Sequence, residues 1–82
     1  MPLELIRYAG ANRLRVEIDY RADSGRRGPR VVEPYSLRRT KDGNLLLFVV
    51  NDRGQLRAYR LDRIVAVRPT DQSFRPQFLV EF

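Results

Sequence analysis

Residues 13–20, RLRVEIDY, alternate polar and apolar positions without a break. Leu14, Val16, Ile18 and Tyr20 fall on one face, and Arg13, Arg15, Glu17 and Asp19 on the other, which predicts a half-buried strand. Ahead of it, PLELIRYAGAN reads as a short helix over about residues 2–10. Pro2 suits a first helical position, Glu4 complements the positive N-terminal end and Arg7 the C-terminal end. Leu3 with Ile6 and Leu5 with Ala9 give spacings of three and four, and Gly10 is the expected stop. So short a helix must dock on something to persist.

Downstream, RADSGRRGPR (21–30) is turn-rich and basic, and reads as a loop. VVEPYSLRRT (31–40) predicts a second strand, with Pro34 marking an edge or a bulge. KDGN is a hairpin turn signal. LLLFVV (45–50) predicts a central strand or one buried on both faces. After the turn NDRGQ comes a strand LRAYRL (56–61), a bend at Leu61-Asp62, and a short strand from Ile64 to Val67. QFLVEF (77–82) alternates again, with Phe78, Val80 and Phe82 inward. Short strands with turns at regular intervals predict a mainly β fold, a small, strongly bent sheet or open barrel over about 13–82 that follows the N-terminal helix.

With 82 residues, the chain makes one domain and buries only about 60% of its unfolded surface. Sixteen basic residues against ten acidic ones give a net charge of +6. Lys41 is the only lysine, so the positive charge is almost all arginine, whose fork matches phosphate oxygens. The codon usage of a GC-rich genome gives the same bias. Without cysteine there are no disulfides and no thiolate metal sites. Without histidine the commonest general base and metal ligand are missing. The expectation is a binding protein, not an enzyme, with no cofactor and no metal. No apolar run reaches the roughly 18 residues of a membrane span, and the N-terminus lacks an apolar signal segment. The reading is a soluble cytoplasmic protein without a membrane partner.

The order of elements, with a basic strand ending EPYSLRR, a Gly turn, an apolar strand and then GQLRAYRLDRI, resembles the WYL domain, a ligand-sensing module of bacterial transcription regulators. Arg57, followed by Tyr59-Arg60-Leu61-Asp62-Arg63-Ile64, is similar to that family's R-x-F-R-L-D-R-I signature. Pro34, three residues ahead of Leu37, also fits, and the resemblance runs from about Ile6 to Val67. It departs at the tripeptide that names the family, where Leu45, Leu46 and Leu47 follow the turn. Aliphatic residues preserve core packing there but not aromatic stacking. In the family this module usually follows a DNA-binding winged helix-turn-helix. The present chain starts almost at the module, which suggests a stand-alone form or a fragment, with a DNA-binding partner chain. The resemblance implies an SH3-like or Sm-like bent barrel that binds a negatively charged effector: a nucleotide, an oligonucleotide or single-stranded nucleic acid. Since Sm-like barrels often assemble through edge strands, a homo-oligomer is also expected.

The candidate ligand set is Tyr35, Ser36, Arg38, Arg57, Tyr59, Arg60 and Arg63. If Leu56 and Ala58 point inward, Arg57 and Tyr59 point out together. A turn near Leu61 then swings Arg60 and Arg63 toward Arg57 to clamp phosphate. The alternative is that Asp62 and Glu33 pair with these arginines and fix the barrel. Leu37 inward puts Tyr35 inward and Ser36 and Arg38 outward, a hydroxyl–arginine pair common at phosphates or an ordinary solvated face. Tyr59 either stacks a base, for about 1–3 kcal/mol, or packs in the core. SGRRGPR lacks the spacing of a phosphate-binding loop and offers nonspecific attraction to nucleic acid. Two other functions compete: an oligomerisation or protein-interaction module in which QFLVEF adds strands between copies, and a small Sm-like RNA-binding protein.

Overall fold

In a computed structural model, which describes residues 2–22, 24–25 and 27–82, the alternating stretch forms strand β1 (Leu14–Arg21). Helix α1 (Pro2–Ala11) precedes it. Strands β2 (Arg27–Arg39), β3 (Leu45–Val50) and β4 (Leu56–Arg60) follow, then a 3-10 turn (Leu61–Arg63) and β5 (Ile64–Ser73). All pairings are antiparallel, and the five strands form an open sheet in the order β4-β3-β2-β1-β5. Gly43 and Gly54 supply the positive φ (85° and 73°) of the β2–β3 and β3–β4 turns, a conformation that costs glycine little.

β2 bends the sheet by changing partners. Its residues 27–32 pair with β1 and its residues 33–39 with β3, with a bulge at Tyr35. The inner face collects the apolar half of each alternation: Val16 and Ile18, Val32, Leu47 and Val49, closed by Leu61 and Ile64. Ile6 and Ala9 of α1 complete this core, so the short helix holds through docking. A smaller cluster of Tyr35, Val50 and Phe74, with Val80 against it, lies on the other side of the bulge.

Several boundaries differ from the sequence reading. Strand β2 begins at Arg27, not Val31, because Arg27–Arg30 pair with Arg21–Ile18; Asp23 and Arg26 of the expected loop lie outside the described residues. Strand β5 continues past Val67 to Ser73 along β1. It is an edge strand, where Pro69 is tolerated. Residues 77–82 are not a strand. They make one parallel bridge, Ser36 to Glu81, and the Glu81 N–H donates to the Tyr35 carbonyl at 2.8 Å. Phe78 is thus exposed, not inward, because β2 offers this segment pairing only beside its bulge. Gly10 does not stop α1 either. A Cβ there would overlap the Phe82 ring, so Gly10 is a close-approach position. The helix ends one residue later, where the Asn12 side chain donates to the Tyr8 carbonyl at 2.8 Å and Arg13 takes φ 56°. Among the described residues, no helix is long and apolar enough to cross a membrane.

Candidate functional site

The register of β4 on β3 decides where its side chains go. Tyr59 lies opposite Leu47 and Arg57 opposite Val49, and directly opposed residues share a face. Since Leu47 and Val49 are core, Tyr59 and Arg57 belong to the inner side. Leu56 and Ala58 are exposed on the outer side, the reverse of the expectation. The apolar alternation of β3 outweighs the ambiguous pattern of β4. Arg60, opposite Leu46, lies on the outer side as well. It donates to both Asp62 carboxylate oxygens, at 3.1 and 2.7 Å, and to Asn44 Oδ1 at 3.4 Å. That bond holds the Asp62 carboxyl below its ordinary pKa. Arg63 ends the 3-10 turn. Glu33 takes Arg15 (3.4 Å) and the Tyr35 hydroxyl (2.8 Å).

On the inner side, Tyr20 of β1 meets Tyr59 of β4 with ring centroids 4.6 Å apart. The alternation that buries Ile18 brings Tyr20 there. Arg30 lies opposite Ile18 and two residues before the core residue Val32, so it shares that face. Its guanidinium carbon is 5.8 Å from the Tyr20 ring centroid and 5.9 Å from that of Tyr59. Arg30 Nη1 is buried and has no hydrogen-bond partner among the described residues. A buried charged donor without a partner costs at least about 1–3 kcal/mol, and ring contacts offset roughly 0.5–2 kcal/mol. The guanidinium is held in place but left electrostatically incomplete.

Around it opens a cleft of about 810 Å³ between β1–β2 and the β3–β4 turn, lined also by Arg53, Gln55 and Arg57. Arg57 donates to Gln55 Oε1 (2.8 Å) and to the Leu56 carbonyl (3.0 Å), both neutral acceptors. Glu17 and Asp52 line the cleft as well, and Glu17 is engaged by Arg68 at 3.0 Å. Among the described residues, no group of three or more carboxylate, His or Cys ligands is arranged for a metal. The chemistry on offer is reception of an anion beside aromatic faces.

The remaining candidates sit elsewhere. Tyr35 is buried; its hydroxyl donates to Glu33 and accepts the Gln77 N–H at 3.0 Å. Its ring packs on Phe74 and Phe78, each at 5.6 Å. Burial, reinforced by Glu33, pushes its pKa up despite the Gln77 bond. Ser36 faces away from the inner core but is buried, not solvated, because the chain segment through Glu81 runs over it. Arg38 donates to Ser36 Oγ and Glu81, both at 3.3 Å, and lies over the Phe48 ring at 5.7 Å. These residues border a separate groove of about 350 Å³ on the outer side. The structure therefore joins Arg57 and Tyr59 in one cleft, and places Tyr35, Ser36 and Arg38 at another site, apart from Arg60.

A family model of the WYL domain matches residues 2–69. The chain belongs to the WYL domain family. This WYL domain is similar in structure to proteasome accessory factor B/C (PafBC) of Arthrobacter aurescens, with a TM-score of 0.79 and 30% sequence identity. The similarity covers 90% of this chain and 12% of that one, so the WYL domain spans a small part of its neighbour's length. No curated protein sequence matches the chain.

In this WYL domain the family tripeptide falls on β3, where Leu47 is core and Leu45 packs against it. Four cleft residues, Tyr20, Arg30, Arg53 and Gln55, escaped the sequence reading as ligand candidates. For Arg30 a signal exists. It stands two residues before Val32, and strand parity carried back across Pro29 puts it beside Tyr20. The turn-rich composition of residues 21–30 concealed that parity.

Proposed function

We propose that this WYL domain is a regulatory, ligand-sensing module of transcription control, and that it takes a phosphate-bearing effector in the Arg30 cleft. One observation carries the reading: a buried guanidinium nitrogen, without a hydrogen-bond partner among the described residues, held over two tyrosine rings. An anionic oxygen supplies the missing acceptor, and charge-assisted hydrogen bonds are the strong ones. Arg57, now on neutral acceptors, is free to exchange Gln55 for phosphate, and Arg53 adds charge at the turn. Tyr20 and Tyr59 position the Arg30 guanidinium and present aromatic surface to a base. Nucleotides, oligonucleotides and single-stranded nucleic acid all fit this chemistry. The domain senses and does not catalyse; a DNA-binding chain, attached or separate, carries the output.

The test is an NMR titration with short single-stranded DNA and RNA and with cyclic dinucleotides, at about 150 mM salt to screen diffuse attraction. The reading predicts saturable shifts confined to Tyr20, Arg30, Arg53–Tyr59 and their neighbours. Weak, unsaturable shifts spread over every arginine contradict it, as does a saturable site centred on Ser36 and Arg38.

A further inference from the structure

Strand β2 changes partners, so each half keeps one open edge. Along residues 33–39 the C-terminal segment crosses that edge at the Ser36–Glu81 bridge. Along residues 27–32 the open edge faces the β3–β4 turn across a notch in the sheet. The hairpin ladder shows which backbone groups look into the notch. The Asn51 N–H donates to the Gln55 carbonyl at 2.9 Å, so 51 and 55 are a hydrogen-bonded pair. Bonded and non-bonded pairs alternate along an antiparallel ladder. Leu47 and Val49 therefore turn their groups to β4, and Val50 turns its own to Glu33, its partner on β2. Val31 and Pro29, two and four residues before Glu33, turn theirs the same way. There β3 has ended, and among the described residues no backbone bond joins Val31 to the turn. Pro29 fits this parity, because the N–H that it lacks would face the notch and not β1. Val31, Asn51 and Asp52 line both the inner cleft of about 810 Å³ and a second cavity of about 360 Å³ on the outer side. The notch thus opens to both faces of the sheet.

Building on the phosphate reading of the Arg30 cleft, we propose that the notch takes an unpaired nucleobase, read by the Val31 N–H and carbonyl. On an extended residue these two groups stand side by side, a donor next to an acceptor. Each base presents the matching pair on its Watson–Crick edge. A base in this place lies in the plane of the sheet, where a neighbouring strand would pair. A strand is the poorer occupant. It would meet Pro29 next, which donates nothing, and proline on an edge resists strand addition. Charge sorts the two ends of the ligand. Asp52 lines the notch with Val31 and repels an anion there, while Arg30 and Arg57 draw the phosphate into the inner cleft. A duplex is excluded, because its Watson–Crick edges are already paired. Any base satisfies Val31, so the site selects single strands or free nucleotides over abasic phosphates, not one base over another.

The test compares a short single-stranded oligodeoxyadenylate with an abasic phosphodiester of equal length, at about 150 mM salt, on the native chain and on Val31→Pro. The Val31 N–H faces away from β1, and Pro29 already occupies an equivalent place on the same edge. Proline at 31 therefore keeps the β1–β2 ladder while removing the donor. The native chain is expected to bind the base-carrying oligomer at least about tenfold more tightly than the abasic one, roughly 1.4 kcal/mol. Val31→Pro is expected to abolish that difference and to leave the abasic affinity unchanged. Should Val31→Pro not fold, amide hydrogen exchange of the native chain replaces it. The Val31 amide is expected to exchange faster than those of Arg30 and Val32 in the free chain, and to gain protection from the oligodeoxyadenylate but not from the abasic oligomer. Equal binding of the two oligomers by the native chain overturns the base site and leaves the phosphate reading standing. So does a difference that Val31→Pro preserves, or a Val31 amide already protected in the free chain. Binding of neither oligomer overturns the phosphate reading itself, and the base site with it.

Discussion

Arg15 and Arg30 lie on neighbouring strands and face opposite ways through one sheet. Arg15, on the outer side of β1, bonds the Ser73 carbonyl (2.7 Å) and Glu33 (3.4 Å), and Glu33 in turn takes the Tyr35 hydroxyl. It closes a network that ties β1 to β2 and to the end of β5. Arg30, on the inner side of β2, touches two tyrosine rings and leaves a buried nitrogen unbonded. Other outer-side arginines follow Arg15: Arg38 has Glu81, Arg60 has Asp62 and Arg68 has Glu17. On the proposed reading, the difference separates arginines that complete the scaffold from one whose missing acceptor is the effector. Groups kept incomplete at a cost to stability concentrate at functional sites.

This contrast can be broken or sharpened residue by residue. Arg15→Met has the largest expected effect on stability. It leaves Glu33, whose side chain is only 11% exposed, without its cation, a loss of about 1–3 kcal/mol measured as a lower urea midpoint, while effector affinity is unchanged. Tyr35→Phe removes the other bond to Glu33 and costs about 1 kcal/mol. It also alters the alkaline limb. Burial raises the Tyr35 pKa above its ordinary 10.0, so the folded state favours the protonated hydroxyl. The stability this provides is full below the ordinary value and is lost as pH rises through the raised one. A pH series of urea midpoints should fall less steeply between the ordinary value and the raised one in Tyr35→Phe than in the native chain.

Smaller effects follow where the pairs are exposed. Arg38→Ala breaks the bridge to Glu81, whose partners are 59% and 48% exposed, and should cost about 0.2–1 kcal/mol. It should leave oligonucleotide affinity within about twofold at 150 mM salt, since it lies outside the cleft; a larger loss would move the site to the outer groove. Asp62→Asn should barely shift the urea midpoint at neutral pH. Arg60 holds the Asp62 pKa low, so the contribution of this pair is present above the ordinary carboxylate range and fades as pH falls through the lowered value. A native chain and an Asp62→Asn variant should therefore converge in acid.

Much of the scaffold was legible because its signals are local. The alternation of residues 14–20 and the glycine turns of the β2–β3 and β3–β4 hairpins each follow from a few neighbouring residues. Elsewhere a partner decides. In β4, Leu56 and Ala58 are hardly more apolar as a pair than the stem of Arg57 with Tyr59, and only the register with Leu47 and Val49 chooses the inner side. QFLVEF alternates well, yet it finds no edge to pair with beyond Ser36. At the candidate site, Arg57 and Tyr59 stood out by motif; parity put them together on one face but on the wrong side of the sheet. Arg30 did not stand out, because its role depends on Tyr20 and Tyr59 arriving from strands far apart in sequence.

The most direct test of the cleft is Arg30→Met, with urea stability and single-stranded oligonucleotide affinity measured on the same preparation. Methionine keeps the contact with the tyrosine rings and removes the unbonded charge. Unchanged or higher stability is expected, with affinity reduced by about ten- to a hundredfold, or roughly 1.5–3 kcal/mol. Lower stability with full affinity would make Arg30 another scaffold arginine and contradict the assignment of this cleft.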